Sequence, residues 1–283
     1  MKKIAFLAAA IFLHGCATDI SSERISAKDK QQLTAITQAL PAEHQARYAA
    51  RHPVETLTFF GIKPGDVVVE ALPGEGWYSK ILAPYLGRDG KLIGVDYSLE
   101  MWPLFGGFAT PAFIESRKAW PAQWSQNAKQ WGDAQASAYT FADLPDELTG
   151  TVDAVLFIRA LHNLARFDAS GNYLQQALAQ THRLLKPNGI VGVVQHAMSE
   201  DKPDAWANGS QGYLKESAII QAMKKAGFEL VASSDINKNP KDDPQAGDNV
   251  WRLPPSLGGT DAQKAQNLAI GESNRVTLLF KKI

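Results

Sequence analysis

Four short apolar runs stand out along the chain: Val67-Val68-Val69-Glu70, Leu92-Ile93-Gly94-Val95-Asp96, Val152-Asp153-Ala154-Val155-Leu156-Phe157 and Gly189-Ile190-Val191-Gly192-Val193-Val194. Each is nearly continuous rather than alternating and is bounded by turn residues, as expected for a strand buried on both faces. Segments with a helical period, such as residues 173–185, lie between them. Strands that alternate with helices predict an α/β domain with a parallel sheet covered on both sides. Residues 228–233 and 275–281 read as the last two strands. Upstream, Leu57, Phe59, Phe60 and Ile62 gather on a helix stopped by Gly61, and Lys63-Pro64-Gly65-Asp66 turns the chain into the first strand.

Two long stretches interrupt this rhythm. Residues 98–132 hold four of the seven tryptophans, Trp102, Trp120, Trp124 and Trp131, with Phe105, Phe108 and Phe113 among them. The second stretch lies between the last two strands and contains Asn237-Lys238-Asn239-Pro240 and Trp251-Arg252-Leu253-Pro254-Pro255. Both are too long for simple turns. Each reads either as a packed excursion that buries its own aromatics or as a lid over a pocket.

At the amino terminus, Lys2 and Lys3 precede an apolar run over residues 4–13, too short to span a bilayer comfortably, which reads as a secretory signal. The run ends in Leu13-His14-Gly15-Cys16, similar to the lipobox of bacterial lipoproteins, in which the cysteine is diacylated and becomes the first residue. Cys16 is the only cysteine of the chain, which favours lipidation over an incidental thiol behind an ordinary leader and excludes an intramolecular disulfide. The expected organisation is a signal peptide over residues 1–15, a polar tether with an N-terminal helix over 16–45, and one main domain over 46–283. The expected location is the periplasm-facing cell envelope, anchored through Cys16, and Ala17 in place of aspartate points by analogy to the outer membrane. Basic and acidic residues balance at 29 each in 283 residues, so nothing suggests electrostatic capture of nucleic acid.

The chemistry gathers after the first strand, in Glu70-Ala71-Leu72-Pro73-Gly74-Glu75-Gly76-Trp77-Tyr78-Ser79. A strand that feeds a glycine turn and then a helix lets backbone approach a ligand closely and offers unpaired N–H groups. Ser79 stands where the dinucleotide fingerprint requires glycine or alanine, which weakens a nicotinamide reading. The segment resembles the first motif of the class I S-adenosylmethionine-dependent methyltransferases. The resemblance implies a Rossmann-like, doubly wound, mostly parallel seven-stranded sheet with an antiparallel last strand, and S-adenosylmethionine as cofactor. It assigns Glu70 to the amino-acid portion of the cofactor and the turn at Gly74 and Gly76 to its underside, with Leu72 and Tyr78 in the same binding set. Asp96 matches the acid that accepts from ribose hydroxyls, and Asp143 matches the position that contacts the adenine amino group. More narrowly, VVEALPGEGWYSKILAPYLG and GESNRVTLLFKK resemble a group of predicted bacterial methyltransferases over residues 47–282. Leu72 is bulky where typical methyltransferases have their first glycine, so its side chain must either turn away from the cofactor or take up part of its volume.

The fourth strand leads into Phe157-Ile158-Arg159-Ala160-Leu161-His162-Asn163, where methyltransferases present residues to the methyl group. His162 is a candidate general base near neutral pH, Arg159 a partner for a carboxylate or phosphate, and Asn163 an orienting amide. The fifth strand carries Gln195 and His196 to the same edge, so two histidines are expected to converge. No tight two-histidine motif or cysteine cluster supports a metal site. Tyr213 and Arg275 match positions of the same predicted group and read as surface residues. Two functions follow: methyl transfer to a small or envelope-associated acceptor, or a non-catalytic or repurposed domain that binds another envelope ligand or protein. The second reading is motivated by the cytoplasmic origin of S-adenosylmethionine.

Overall fold

The structure is a computed structural model and describes residues 25–283, so the expected signal peptide and Cys16 lie outside the described residues. Eight strands form: β1 (Val67–Ala71), β2 (Lys91–Asp96), β3 (Gln135–Thr140), β4 (Val152–Ile158), β5 (Leu185–Met198), β6 (Leu214–Lys215), β7 (Phe228–Ser234) and β8 (Arg275–Lys282). Seven of them run in the order β3-β2-β1-β4-β5-β8-β7, and β6 pairs with the end of β5. β1, β2, β3, β4 and β5 pair in parallel, whereas β8 runs antiparallel to both β5 and β7. This is the expected doubly wound sheet with its antiparallel last strand. β3 was absent from the apolar runs because it is a half-exposed edge strand, Gln-Ala-Ser-Ala-Tyr-Thr.

Adjacent residues of each strand feed opposite cores, as the two-residue period of a strand requires. Val69, Ile93, Val155, Val193 and Leu278 belong to one buried cluster; Val68, Leu92, Ala154, Val194 and Leu279 belong to the other. Helices Leu161–Arg166, Tyr173–Leu184 and Glu216–Lys225 cover the first face with Leu164, Leu178, Ile219 and Met223. Helices Pro53–Phe60, Ser79–Leu86 and Trp120–Ala128 cover the second with Phe60, Leu82, Tyr85 and Trp124. The N-terminal helix Ala27–Ala39, opened by a reciprocal Ser26/Asp29 capping box, adds fully buried Leu33 to that second cluster. Two strand glycines serve this packing: a Cβ on Gly94 would lie 2.9 Å from the Trp124 ring, and one on Gly192 would lie 2.7 Å from that of Phe60.

The chain winds outward from β1 to β3 and then returns to β4 on the other side of β1. The helix after β1 packs on one face and the helix after β4 on the other. A crevice therefore opens at the carboxyl ends of β1 and β4, the place where open α/β sheets bind ligands.

Candidate active site

The loop that leaves β1 carries three left-handed residues, Leu72 (φ 55°), Gly74 (φ 56°) and Gly76 (φ 71°). Leu72 is pinned there by a 2.7 Å bond from its N–H to the Val95 carbonyl, although the conformation costs leucine on the order of 1 kcal/mol. The two glycines have different reasons to be glycine. A Cβ on Gly76 would lie 2.6 Å from the Trp131 ring, so that position is required by the protein's own packing. Around the Cβ direction of Gly74 nothing lies within 4 Å, so its open side is available to a ligand.

Two clefts flank this loop and share Leu72, Gly74, Glu75 and Arg159 in their walls. The first, of about 530 Å³, lies toward β2 and contains Asp96, Tyr97, Trp102, Arg117, Trp120 and Trp131. The second, of about 440 Å³, lies toward β4 and contains Glu70, Tyr78, His162 and His196, with Arg47 and Arg51 from the N-terminal segment. Leu72 packs against the core and also lines both clefts, so it neither turns wholly inward nor fills one of them: it forms the partition. The aromatic excursion fulfils both of its readings, because Trp120 and Trp124 are buried in the core and also wall the first cleft.

In the first cleft, Asp96 is paired with Arg117, whose guanidinium lies over the rings of Trp102 (4.9 Å) and Trp120 (5.3 Å). Burial raises the Asp96 carboxyl above its ordinary range, and the Arg117 charge opposes that rise. In the second cleft, Glu70 is 3% exposed, and burial raises its carboxyl to about 8 against a 2.5 Å bond donated by the Ser79 hydroxyl. Ser79, the residue that argued against a dinucleotide, is thus the partner of the Glu70 carboxyl.

His162 and His196 converge as expected, with ring centroids 5.5 Å apart. Neither titrates near neutrality. Burial lowers His162 to about 4, and burial together with the neighbouring His162 and Arg159 lowers His196 well below its ordinary value. Both imidazoles are therefore neutral at physiological pH. His162 Nδ1 faces the Gln195 amide nitrogen at 3.4 Å, and His196 Nδ1 faces the Ser273 hydroxyl at 2.5 Å. Arg159 sits at the end of β4 at φ 59°, in the wall common to both clefts.

Two of the expected residues stand apart. Asn163 donates to the Tyr97 hydroxyl at 2.9 Å and lines neither cleft. Asp143 is exposed, accepts from the Thr140 hydroxyl at 2.7 Å and also lies outside both linings. Tyr213 and Arg275 are buried rather than on the surface. Tyr213 donates to Asp242 at 3.0 Å, and Arg275 donates to Glu272 at 3.0 Å and to the Ala50 carbonyl at 2.7 Å. Arg47, Arg51, Arg117, Glu272 and Ser273 belong to the clefts without having been anticipated, because they reach them from distant parts of the chain. Among the described residues no group of three or more His, Cys, Asp or Glu side chains is arranged to hold a metal ion.

The family described as "Methyltransferase domain" matches residues 69–193, which span β1 through most of β5 and carry the turn, Asp96, Arg159 and His162. Among curated proteins nothing matches the sequence. Among solved structures, the chain is similar to a SAM dependent methyltransferase from Aquifex aeolicus, with 15% identity over 90% of this chain and 98% of that one and a TM-score of 0.51. It is also similar to the [4+2]-cyclase SpnF, with 16% identity over 82% of this chain and 81% of that one and a TM-score of 0.52. At these identities the likeness is one of fold. The chain thus has the fold of the class I S-adenosylmethionine-dependent methyltransferases, and its residues 69–193 match the methyltransferase domain family.

Proposed function

We propose that the protein transfers a methyl group from S-adenosylmethionine to a small acceptor held in the second cleft. The observation that carries this reading is the shared wall: a ligand laid across Gly74 has the Asp96 carboxylate on one side and Glu70, Arg159 and His162 on the other. The residues fit the cofactor in kind. Gly74 leaves its face open, Asp96 can accept from ribose hydroxyls beside its Arg117 partner, and Glu70 and Tyr78 edge the continuation of the trough. Bound there, the cofactor supplies an electrophilic methyl group, and catalysis consists largely of alignment.

The chain's own groups act around that alignment. Glu70, protonated through neutral pH, gives up its proton when a cationic group docks against it. His162 and His196, neutral and buried, accept hydrogen bonds from the acceptor and hold it without adding charge. Trp251, whose ring lies 6.1 Å from that of His162, together with Pro254 and Pro255 gives the cleft an apolar wall against which an acceptor packs.

The reading extends to location. The protein is anchored to the periplasmic side of the envelope through an acylated Cys16, a reading supported by the lipobox-like Leu13-His14-Gly15-Cys16 and the single thiol. No helix among the described residues is long and apolar enough to cross a membrane. The test of function is to incubate the protein with isotopically labelled S-adenosylmethionine and a small-molecule extract of its own cells, and to look for labelled product by mass spectrometry. Label that depends on an intact Gly74 supports the reading; label equal to that with a Gly74→Val variant sinks it.

A further inference from the structure

The second cleft has more positive than negative side chains deep in its wall, with Glu75 exposed at its edge. Arg47, Arg51 and Arg159 line it, and Arg275 lies directly behind. Glu272 is the carboxylate bonded to three of them. It accepts from Arg47 Nε at 2.7 Å, from Arg51 Nε at 3.2 Å and from Arg275 Nη1 at 3.0 Å. Glu70, the other acid set deep in this wall, is bonded to Ser79 and kept protonated by burial, and both histidines are neutral. Arg159 makes no ion pair among the described residues.

This concentration of charge is unfavourable in the free protein. Burial lowers Arg51 to about 9 and Arg159 to about 10, and in each case neighbouring guanidiniums add to the fall. Three of the four have structural uses: Arg275 holds the Ala50 carbonyl, Arg51 stacks on Trp77 at 4.6 Å, and Arg47 ties the N-terminal segment to Glu272. Arg159 has none, yet it is held on a left-handed backbone at the seam of the two clefts. Guanidinium forks match the paired oxygens of a carboxylate or phosphate, and a ligand oxyanion would supply the charge that the protein withholds.

We propose that the second cleft is an oxyanion-recognition site, and that the acceptor carries a phosphate or carboxylate group that docks on Arg159 between Arg47 and Arg51. The inference rests on the methyltransferase reading of the same cleft for the word acceptor, but not for the anion. The carboxylate of the cofactor is the competing occupant of these guanidiniums, and the titration separates the two: a probe displaced by saturating S-adenosylhomocysteine sits at the cofactor's carboxylate and refutes a site for the acceptor.

The experiment is calorimetric titration of the full chain at low salt with inorganic phosphate and, separately, with malonate, each with and without saturating S-adenosylhomocysteine. One-site binding of at least one probe is expected, weakening as salt rises. The preferred probe distinguishes a phosphorylated from a carboxylated acceptor. Arg159→Gln is expected to weaken that binding about tenfold, the loss of one charge-assisted hydrogen-bonding partner. Arg47→Gln, which removes a partly exposed guanidinium and serves if the first variant does not fold, is expected to weaken it as well while leaving S-adenosylhomocysteine affinity unchanged. If neither probe binds the wild type, or if Arg47→Gln weakens S-adenosylhomocysteine and the probe in parallel, the oxyanion site is refuted. If a probe binds but S-adenosylhomocysteine does not, the oxyanion site stands and the methyltransferase reading falls.

Discussion

Replacing Glu70 by glutamine removes a carboxyl group that the fold holds almost wholly out of water beneath the cofactor turn. Its ordinary value is 4.5, and burial raises it to about 8 in the folded protein. The folded state therefore holds this proton more tightly than the unfolded state between those two values. The stability contributed by the group is complete below about pH 4.5 and is lost as pH rises toward 8. Each unit is worth about 1.4 kcal/mol, so the full displacement amounts to roughly 4–5 kcal/mol. Glutamine is nearly isosteric, stays neutral at every pH and still accepts from the Ser79 hydroxyl through its carbonyl oxygen. Urea unfolding of both proteins at pH 5, 7 and 9 measures the effect, with every other titrating group common to the pair. Near pH 5 the two stabilities should agree within about 1 kcal/mol; near pH 9 the glutamine variant should be the more stable by roughly 4 kcal/mol. A difference that stays constant with pH would refute the reasoning, because it would mean that Arg159 compensates the buried charge in full.

The same proton should appear in binding: S-adenosylhomocysteine affinity should rise from pH 6 to pH 9 in the wild type and stay flat in Glu70→Gln, as read by calorimetry in buffers of different ionisation enthalpy. Methyl transfer should show no inflection near pH 6.5 from an imidazole, because His162 titrates near 4; such an inflection lost in His162→Gln would contradict that placement. Gly94→Ala should cost about 1–3 kcal/mol in chemical denaturation by driving a methyl group into the Trp124 ring, without altering either cleft's charge. Arg117→Gln should leave Asp96 buried without its cation, raise that carboxyl further and make the variant lose stability relative to wild type as pH climbs from 4 to 7. Cys16→Ser should abolish incorporation of labelled palmitate and release the protein from the membrane fraction; labelling that persists would remove the anchor reading.

The parts of the fold legible in the sequence were those whose burial is two-sided. β1, β2, β4 and β5 are shielded on both faces and so are written as unbroken apolar runs, whereas β3 has one neighbour and polar residues facing water, and left no such signature. The turn after β1 was readable because its geometry demands glycine, but the sequence did not distinguish Gly76, which accommodates Trp131, from Gly74, which faces the cleft. Glu70 and Asp96, assigned from the family resemblance, and Arg159, His162 and His196, read from their place at strand ends, all line the two clefts, because strand ends converge by topology. Arg47 and Arg51 were not, since they stand more than two hundred residues from Glu272 and nothing local marks their meeting. Asp143 followed from alignment to a motif rather than from any physical constraint, and its carboxylate turns instead to the nearby Thr140 hydroxyl. The neutral histidines illustrate the same limit: the sequence shows an imidazole, while its protonation is set by burial and by arginines brought in from elsewhere.

The central claim is that the trough over Gly74 accepts the cofactor, and the most direct measurement is calorimetric titration of the folded protein with S-adenosylhomocysteine. The account predicts one saturable site, abolished by Gly74→Val and weakened by Asp96→Ala, in variants whose unfolding transitions remain cooperative. No heat of binding up to millimolar ligand, or binding indifferent to both substitutions, would contradict it.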